Sequence, residues 1–278
     1  MAFIKPEVYT SIATEKIKGK MVVTHLADDL GVLSGDVGET VSFPTFKAIG
    51  EATELTKGEG INEQELSQVD SKATIKQVVA PGIVVYDIEN KTALGNQVEN
   101  GAMQQGTSIA RKVDADLIAE CDKTTLKVAV ANANSITADE LNQGFMMFGD
   151  EQDTSEMAGI VVNSMLSASF YKMDEFVNAN LTHTTGGNGV VQNGVIGYFR
   201  GVPVLLSDKG TLDSSKSECK TYIIKKHALA KMFKSEKVCD VEVERQAKYK
   251  RTAIYTDAIY AVKLVNEEGV VVLRKTIA

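Results

Sequence analysis

Residues able to do chemistry occur throughout this sequence, but few of them stand in patterns that make a site. Gly186-Gly-Asn-Gly189 has the glycine density of a phosphate-binding loop. A phosphate cradle also needs a Lys-Ser/Thr pair and a helix opening directly behind it, and neither follows, so the stretch reads as a polar loop. His25, His183 and His227 form no HxxxH or HxH pair, which leaves zinc without its usual ligand spacing. Cys121, Cys219 and Cys239 are odd in number and widely separated, with no CxxC, no Cys/His cluster and no nucleophile signature. No GxSxG elbow is present. The adjacent carboxylates Asp139-Glu140 and Glu267-Glu268 are better explained as cap and turn residues than as acid/base pairs. Asn180-Leu-Thr182 matches a glycosylation acceptor and is inert without a secretory signal. The chemical inventory is close to empty, and the expectation is a protein with no catalytic residue, no cofactor and no metal.

The elements around these residues belong to an ordinary folded chain. With 278 residues, 44% hydrophobic and 24% charged, it can bury a substantial core in one large domain or two. Thirty basic residues against 37 acidic ones give a net charge of -7, which argues against a phosphate-binding surface as the main feature. The longest basic cluster, Lys225-Lys226-His227 with Lys231 and Lys234, has helical spacing and reads as a solvated helix face. No N-terminal signal pattern is seen, and no apolar run approaches the roughly 18 residues of a membrane span. A reducing cytosol and no membrane partner are expected.

Glu7 to Lys18 sets Val8, Ile12 and Ile17 at approximate helical spacing. Leu30 to Thr40, with three glycines, reads as a loop. The strongest helix is QVENGAMQQGTSIARKVDADLIAEC, in which Val98, Ala102, Gly106, Ile109, Val113, Leu117 and Cys121 recur at spacings of three and four. At 25 residues it would be about 37 Å long, with Arg111, Lys112, Asp114 and Asp116 on its polar side. Thr137-Ala-Asp-Glu140 is a capping-box pattern opening a short helix, Ala158–Val162 reads as a buried strand, and Ser164 to Phe176 as another helix. NANLTHTTGGNGVVQNG is a glycine-rich loop, and VIGYFRGVPVLLSD two strands turning at Arg200-Gly201. Val238 to Arg245, Thr252 to Leu264 and Val270 to Arg274 are β-rich. The order gives an α+β protein with mainly antiparallel sheet and one dominant helix.

One stretch fits no core. VSFPTFKAIGEATELTKGEGIN starts β-like, with Pro44 marking an edge strand, and then turns polar. Glu51 to Ser71 holds only four large apolar residues, Leu55, Ile61, Leu66 and Val69, too few for a core of its own. One reading is a long functional loop, and another is a two-stranded hairpin leaving the body. Strands of about 15 residues would reach on the order of 50 Å and carry the tip off the subunit.

The pieces PEVYTSIATEKIKGKMVV, GDVGETVSFPTFKAIGEATELTKGEGI, TIKQVV, SIARKVDADLIA, GYFRGVPVLLSD and VEVERQAKYKRTAIYTDAIYAVKLVNEEGVVVL, in this order, resemble the major capsid proteins of tailed bacteriophages. These have the Hong Kong 97-like fold, shared with encapsulins. The resemblance runs over nearly the whole chain, and the order of the pieces is more specific than any one of them. It implies an N-terminal arm over 1–40, an extended loop over 41–79 lying on a neighbouring subunit, and a peripheral domain with the spine helix over 80–129. An axial domain over 130–235 and return strands with the C-terminal strand over 236–278 complete it.

The implied function is geometric: self-assembly into hexamers and pentamers that form an icosahedral head shell around the genome, with an encapsulin-like compartment as the alternative. Implied partners are further copies of the chain, a portal, and packaged double-stranded DNA contacted non-specifically. Assembly would occur in the host bacterial cytoplasm and the product would be the virion. Some relatives carry a cleaved N-terminal scaffolding segment; here the arm starts almost at Met1, so a separate scaffolding protein, or none, is expected. Glu51, Glu54, Lys57 and Glu59 on the extended loop, with Arg111 and Asp114 on the helix, are the candidate intersubunit contacts. Exposed pairs of this kind contribute only about 0 to 1 kcal/mol each, so repetition and apolar burial must supply most of the stability. Some relatives form Lys-to-Asn cross-links; Lys57 and Asn266, with Glu267 or Glu268 as base, have the residue types, but nothing local demands the reaction.

Overall fold

The three-and-four spacing of Gln97–Cys121 folds as one α-helix in the computed structural model, which describes residues 6–46, 52, 54, 58, 60, 61, 63, 65–92, 97–149, 153–177, 194–235 and 238–277. Six of the seven predicted stripe residues are buried and Val98 is half-buried. The buried band is wider than the stripe, because the helix is packed on two sides. On one side lies the N-terminal helix Pro6–Lys20, and on the other a sheet. The N-terminal helix therefore docks on its own subunit through Tyr9, Ala13 and Ile17, while Val8, expected on the apolar face, is exposed. Gly106 explains the choice of face. A Cβ there would stand 2.9 Å from the Ala13 carbonyl oxygen, so only glycine lets the helices approach this closely.

The first sheet is organised on the long strand Arg251–Leu264. Along one edge it pairs with Leu229–Phe233 and Asp240–Gln246, and along the other with Lys76–Val79 and Ile83–Tyr86. Asp28–Val32 adds in parallel to the outer side of Leu229–Phe233, where a loop was expected. The second sheet runs in the order Leu126–Ala129, Val270–Arg274, Thr221–Lys225, Met157–Val162, Val202–Leu206, Val195–Phe199. Its central strands are covered on both faces, so they read as continuous apolar runs such as Ile160-Val-Val162 and Val270-Val-Val-Leu273. One face packs on Leu117 and Ile118 of the long helix, the other on Leu141, Phe145, Phe170 and Phe176. The helix Ala138–Met146 carries the expected capping box, with Thr137 and Glu140 satisfying each other's backbone amides.

Thr40–Phe46 and Gln68–Thr74 form an antiparallel hairpin. The paired strands are seven residues long, about half the length the sequence suggested. Among the described residues only the root has a core: Phe43, Ala73 and Ile75 are buried against Ala230 and Ala261 of the first sheet. Two other expectations fail. Lys225 to Lys234 is not a helix face but the end of one strand, a turn with His227 in the left-handed region, and the strand Leu229–Phe233. The lysine spacing is incidental to apolar residues that require two sheets. Ser164 to Phe176 is three short pieces, because the side chains of Asn163 and Ser167 take backbone partners at Met165 and Ser164 and interrupt the helical ladder.

Candidate assembly surface

Three buried polar nodes hold the first sheet against its helices and fix what the sheet presents outward. Gln105, on the sheet side of the long helix, uses its whole amide. Its Oε1 accepts from Tyr9 Oη at 2.6 Å and Thr256 Oγ1 at 2.8 Å, and its Nε2 donates to the carbonyls of Pro81 at 2.9 Å and Ile254 at 3.1 Å. Asp114 accepts from the amides of Val22 and Thr24 at 2.8 and 2.9 Å and from Thr24 Oγ1 at 2.6 Å, capping the turn Val23–Leu26. Asp116 accepts from Lys112 and from Tyr260 Oη at 2.9 Å each and lies 3.5 Å from Lys76. Burial pushes its pKa up and is outweighed by those hydrogen bonds and by the two lysines, so the net shift is downward.

With Ile254, Thr256, Ala258 and Tyr260 facing inward and buried, the opposite face of the long strand points away from the helices. The registers place Asp240 opposite Asp257, Glu242 opposite Tyr255, and Glu244 opposite Ala253. On the other edge Val79, Val84 and Tyr86 stand beside Asp257, Ala253 and Arg251. Directly paired residues share a face, so this surface is a column of carboxylates, a central column with Tyr255, and an apolar column. Val79 is 58% exposed, and Val84, Tyr86 and Tyr255 are exposed as well. Tyr255 lies over Gly82, where a Cβ would come within 2.8 Å of its ring.

A fourth node closes the second sheet. Arg274, at the end of Val270–Arg274, donates to Glu218 and, at 3.0 Å, to Asp213, while the Thr276 amide donates to Glu218 at 3.0 Å. The Ser215 hydroxyl, more than Arg274, holds Asp213 down at about 2 against the effect of burial; for Glu218, burial raises the pKa and the Arg274 and Thr276 bonds override it. Both folded pKa values lie below their unfolded ones, so this stabilisation is present above about pH 4.5 and is lost as pH falls through the folded values. We expect the amides of residues 218–219 and 270–276 to lose hydrogen-exchange protection between about pH 4 and pH 2, ahead of the long helix. Arg274→Met should abolish that difference and lower stability by about 3 kcal/mol at neutral pH, since Glu218 would stay buried without its cation. Unchanged protection down to pH 2 would refute this.

Of the predicted contact residues, the three that are described do not converge. Glu54 is exposed, and Arg111 is exposed on the long helix near Asp208. Asp114 is corrected: it is buried, and its carboxylate is consumed by the turn Val23–Leu26 of the same subunit. Asp116 leaves the polar side in the same way. Glu51, Lys57 and Glu59 lie outside the described residues, as does the glycine-rich loop 178–193. Among the described residues no group of His, Cys, Asp or Glu has metal-binding geometry, and no helix is long and apolar enough to cross a membrane. The carboxylate column and the exposed tyrosines escaped the sequence reading, although the alternation in DVEVERQ, charged at 240, 242 and 244, was their signal.

No family model matches the chain. Over 273 residues it is 26% identical to the major capsid protein of Staphylococcus phage phiMR11, covering 98% of this chain and 93% of the relative. Among solved structures it resembles the capsid of the cyanophage P-SCSP1u, with a TM-score of 0.65 at 12% identity over 93% of this chain and 89% of the other. It also resembles the SrpI encapsulin complex of Synechococcus elongatus, with a TM-score of 0.62 at 10% identity over 91% and 86% of the two chains. The architecture is thus the Hong Kong 97-like capsid fold. The structural likeness establishes the fold, and the sequence relationship extends along almost all of both chains. Along almost its whole length the chain is thus similar to a bacteriophage major capsid protein, and it has the fold of capsid shells.

Proposed function

We propose that this chain is a bacteriophage major capsid protein that assembles as hexamers and pentamers into an icosahedral head enclosing double-stranded DNA, with residues 41–79 of each copy lying across a neighbour. The observation that carries this reading is the imbalance along the hairpin. Its root is buried, yet beyond it Ile61 is 80% exposed and Leu66 56% exposed, large apolar residues that no surface covers among the described residues of their own subunit. A second copy supplies that surface, and repetition of the same heterologous contact around a ring closes it. In this reading the first sheet with the long helix forms the peripheral domain and the second sheet most of the axial domain. Glu54 and Arg111 are rim contacts, and the head is built in the host cytoplasm around a portal with a separate scaffolding protein.

Deleting residues 53–70 tests it. The subunit should remain soluble with a thermal midpoint near that of the parent, and closed particles should disappear from negative-stain micrographs and sedimentation profiles. Shells of normal size from the deleted chain would overturn the role given to the loop. Particles filled with protein cargo instead of DNA would move the reading to an encapsulin-like compartment.

A further inference from the structure

The turn between Asp240–Gln246 and Arg251–Leu264 concentrates positive charge in an acidic protein. Lys248, Tyr249 and Lys250 are exposed, and Arg251 follows at half exposure. The Arg251 guanidinium lies 4.9 Å from the centre of the Tyr249 ring and the Lys248 ammonium 5.8 Å from it, so one tyrosine orders two cations. Lys250 closes the turn in the left-handed region at φ 51°. Arg251 also donates to Gln246 at 2.6 Å and to Tyr86 Oη. Arg245, by contrast, points to the inner face and is neutralised by a two-point pair with Asp87 at 2.7 and 2.6 Å. Among the described residues, no carboxylate pairs with Lys248, Lys250 or Arg251.

We infer that this basic turn docks on a second copy of the chain, against the column Asp240, Glu242 and Glu244. The inference rests on the shell-forming role proposed above and names one of its contacts. Charge complementarity selects the occupant. Glu242 and Glu244 are exposed without a cation among the described residues, and Asp240 faces Asp257 across the ladder, a like-charge pair that is unfavourable within one subunit. The turn is at one end of the hairpin and Asp240 at the other, about 20 Å away. A hairpin with a cationic tip and an anionic root cannot neutralise itself, but copies related by rotation can, tip to root, in a heterologous contact that closes a ring. Exposed Tyr255 beside the column, and Val84 on the strand beyond it, give the entering Tyr249 an apolar seat, and a preordered tip loses little entropy on docking. Nucleic acid fits less well. Three cations on a convex turn neutralise few phosphates, and a duplex laid on this face would meet the carboxylate column.

Particles assembled from a mixture of isotope-labelled and unlabelled full-length chains, treated with a carbodiimide, should yield amide cross-links from Lys248 or Lys250 to Asp240, Glu242 or Glu244 that join labelled to unlabelled peptides. The double variant Lys248→Glu, Lys250→Glu should lower the yield of closed particles by at least about tenfold while its circular dichroism and thermal midpoint stay unchanged, and adding Glu242→Lys and Glu244→Lys should restore it to within about threefold. Normal assembly of the double variant, or no rescue in the quadruple one, overturns the contact and leaves the shell reading standing. Normal assembly with loss of retained nucleic acid overturns it in favour of phosphate binding. Failure of the parent chain to form any particle in infected host cells, where portal and scaffolding protein are supplied, overturns the shell reading and this contact with it.

Discussion

Gln105→Leu should destabilise the isolated subunit by about 4 kcal/mol, although the substitution is nearly isosteric and removes no apolar contact. Gln105 is 2% exposed, and its amide is the shared partner of the Tyr9 and Thr256 hydroxyls and of the Pro81 and Ile254 carbonyls. Leucine leaves four polar groups facing hydrocarbon, each costing about 1 to 3 kcal/mol when unsatisfied. The hydroxyls can rotate, and a backbone carbonyl keeps a second lone pair, so the total falls below the simple sum. The same change one position earlier is the control. Gln104 is exposed, and Gln104→Leu should fall within about 0.5 kcal/mol of the parent. Urea unfolding of unassembled subunits measures both. Equal midpoints for the two variants would show that Gln105 is not the tie between the N-terminal helix, the long helix and the first sheet.

Gln105 also marks where sequence reading stops. The bounds of the long helix, the capping box at Thr137 and the strands around Arg200-Gly201 were legible, because each is decided by local periodicity, a cap or a turn. The burial of Gln105, Asp114 and Asp116 was not, because a polar residue inside a helix reads as solvated until the elements that satisfy it arrive from elsewhere. For Asp114 these are Val22 and Thr24, some 90 residues away. The contact face failed for a related reason. Charged residues at alternate positions of Asp240–Gln246 announce an outward-facing strand side, yet their meaning depends on Asp257 and Tyr255 standing beside them and Val84 one strand further, which only the pairing register determines. The hairpin was legible as an element without a core, since absence of apolar residues is itself local information, but the shorter pairing was not.

Asp114→Ala should cost about 3 to 4 kcal/mol and loosen a defined part of the molecule. The carboxylate is 3% exposed and holds three donors, two of them backbone amides at the start of the turn Val23–Leu26. Thr24 is also bound from the other side, since the Lys231 ammonium donates to its carbonyl at 2.6 Å. Burial lowers the pKa of Lys231, an effect opposed by Asp29, Asp28 and Asp114, so removing Asp114 also withdraws one of the charges that keep this lysine protonated. The turn thus links the long helix to the strand Leu229–Phe233 and, through it, to the edge strand Asp28–Val32. In hydrogen exchange, the amides of Val22, Thr24 and residues 28–32 of the alanine variant should lose protection first, while Thr221–Lys225 in the second sheet should follow only the global loss of stability. Asp114→Asn discriminates a lost acceptor from a lost shape. Asparagine keeps one acceptor oxygen but turns an NH2 group toward a backbone donor, so its cost should be intermediate, about 2 kcal/mol. Costs below about 1 kcal/mol for both variants would mean that water replaces the carboxylate and that the turn is held by the packing of Val23 alone.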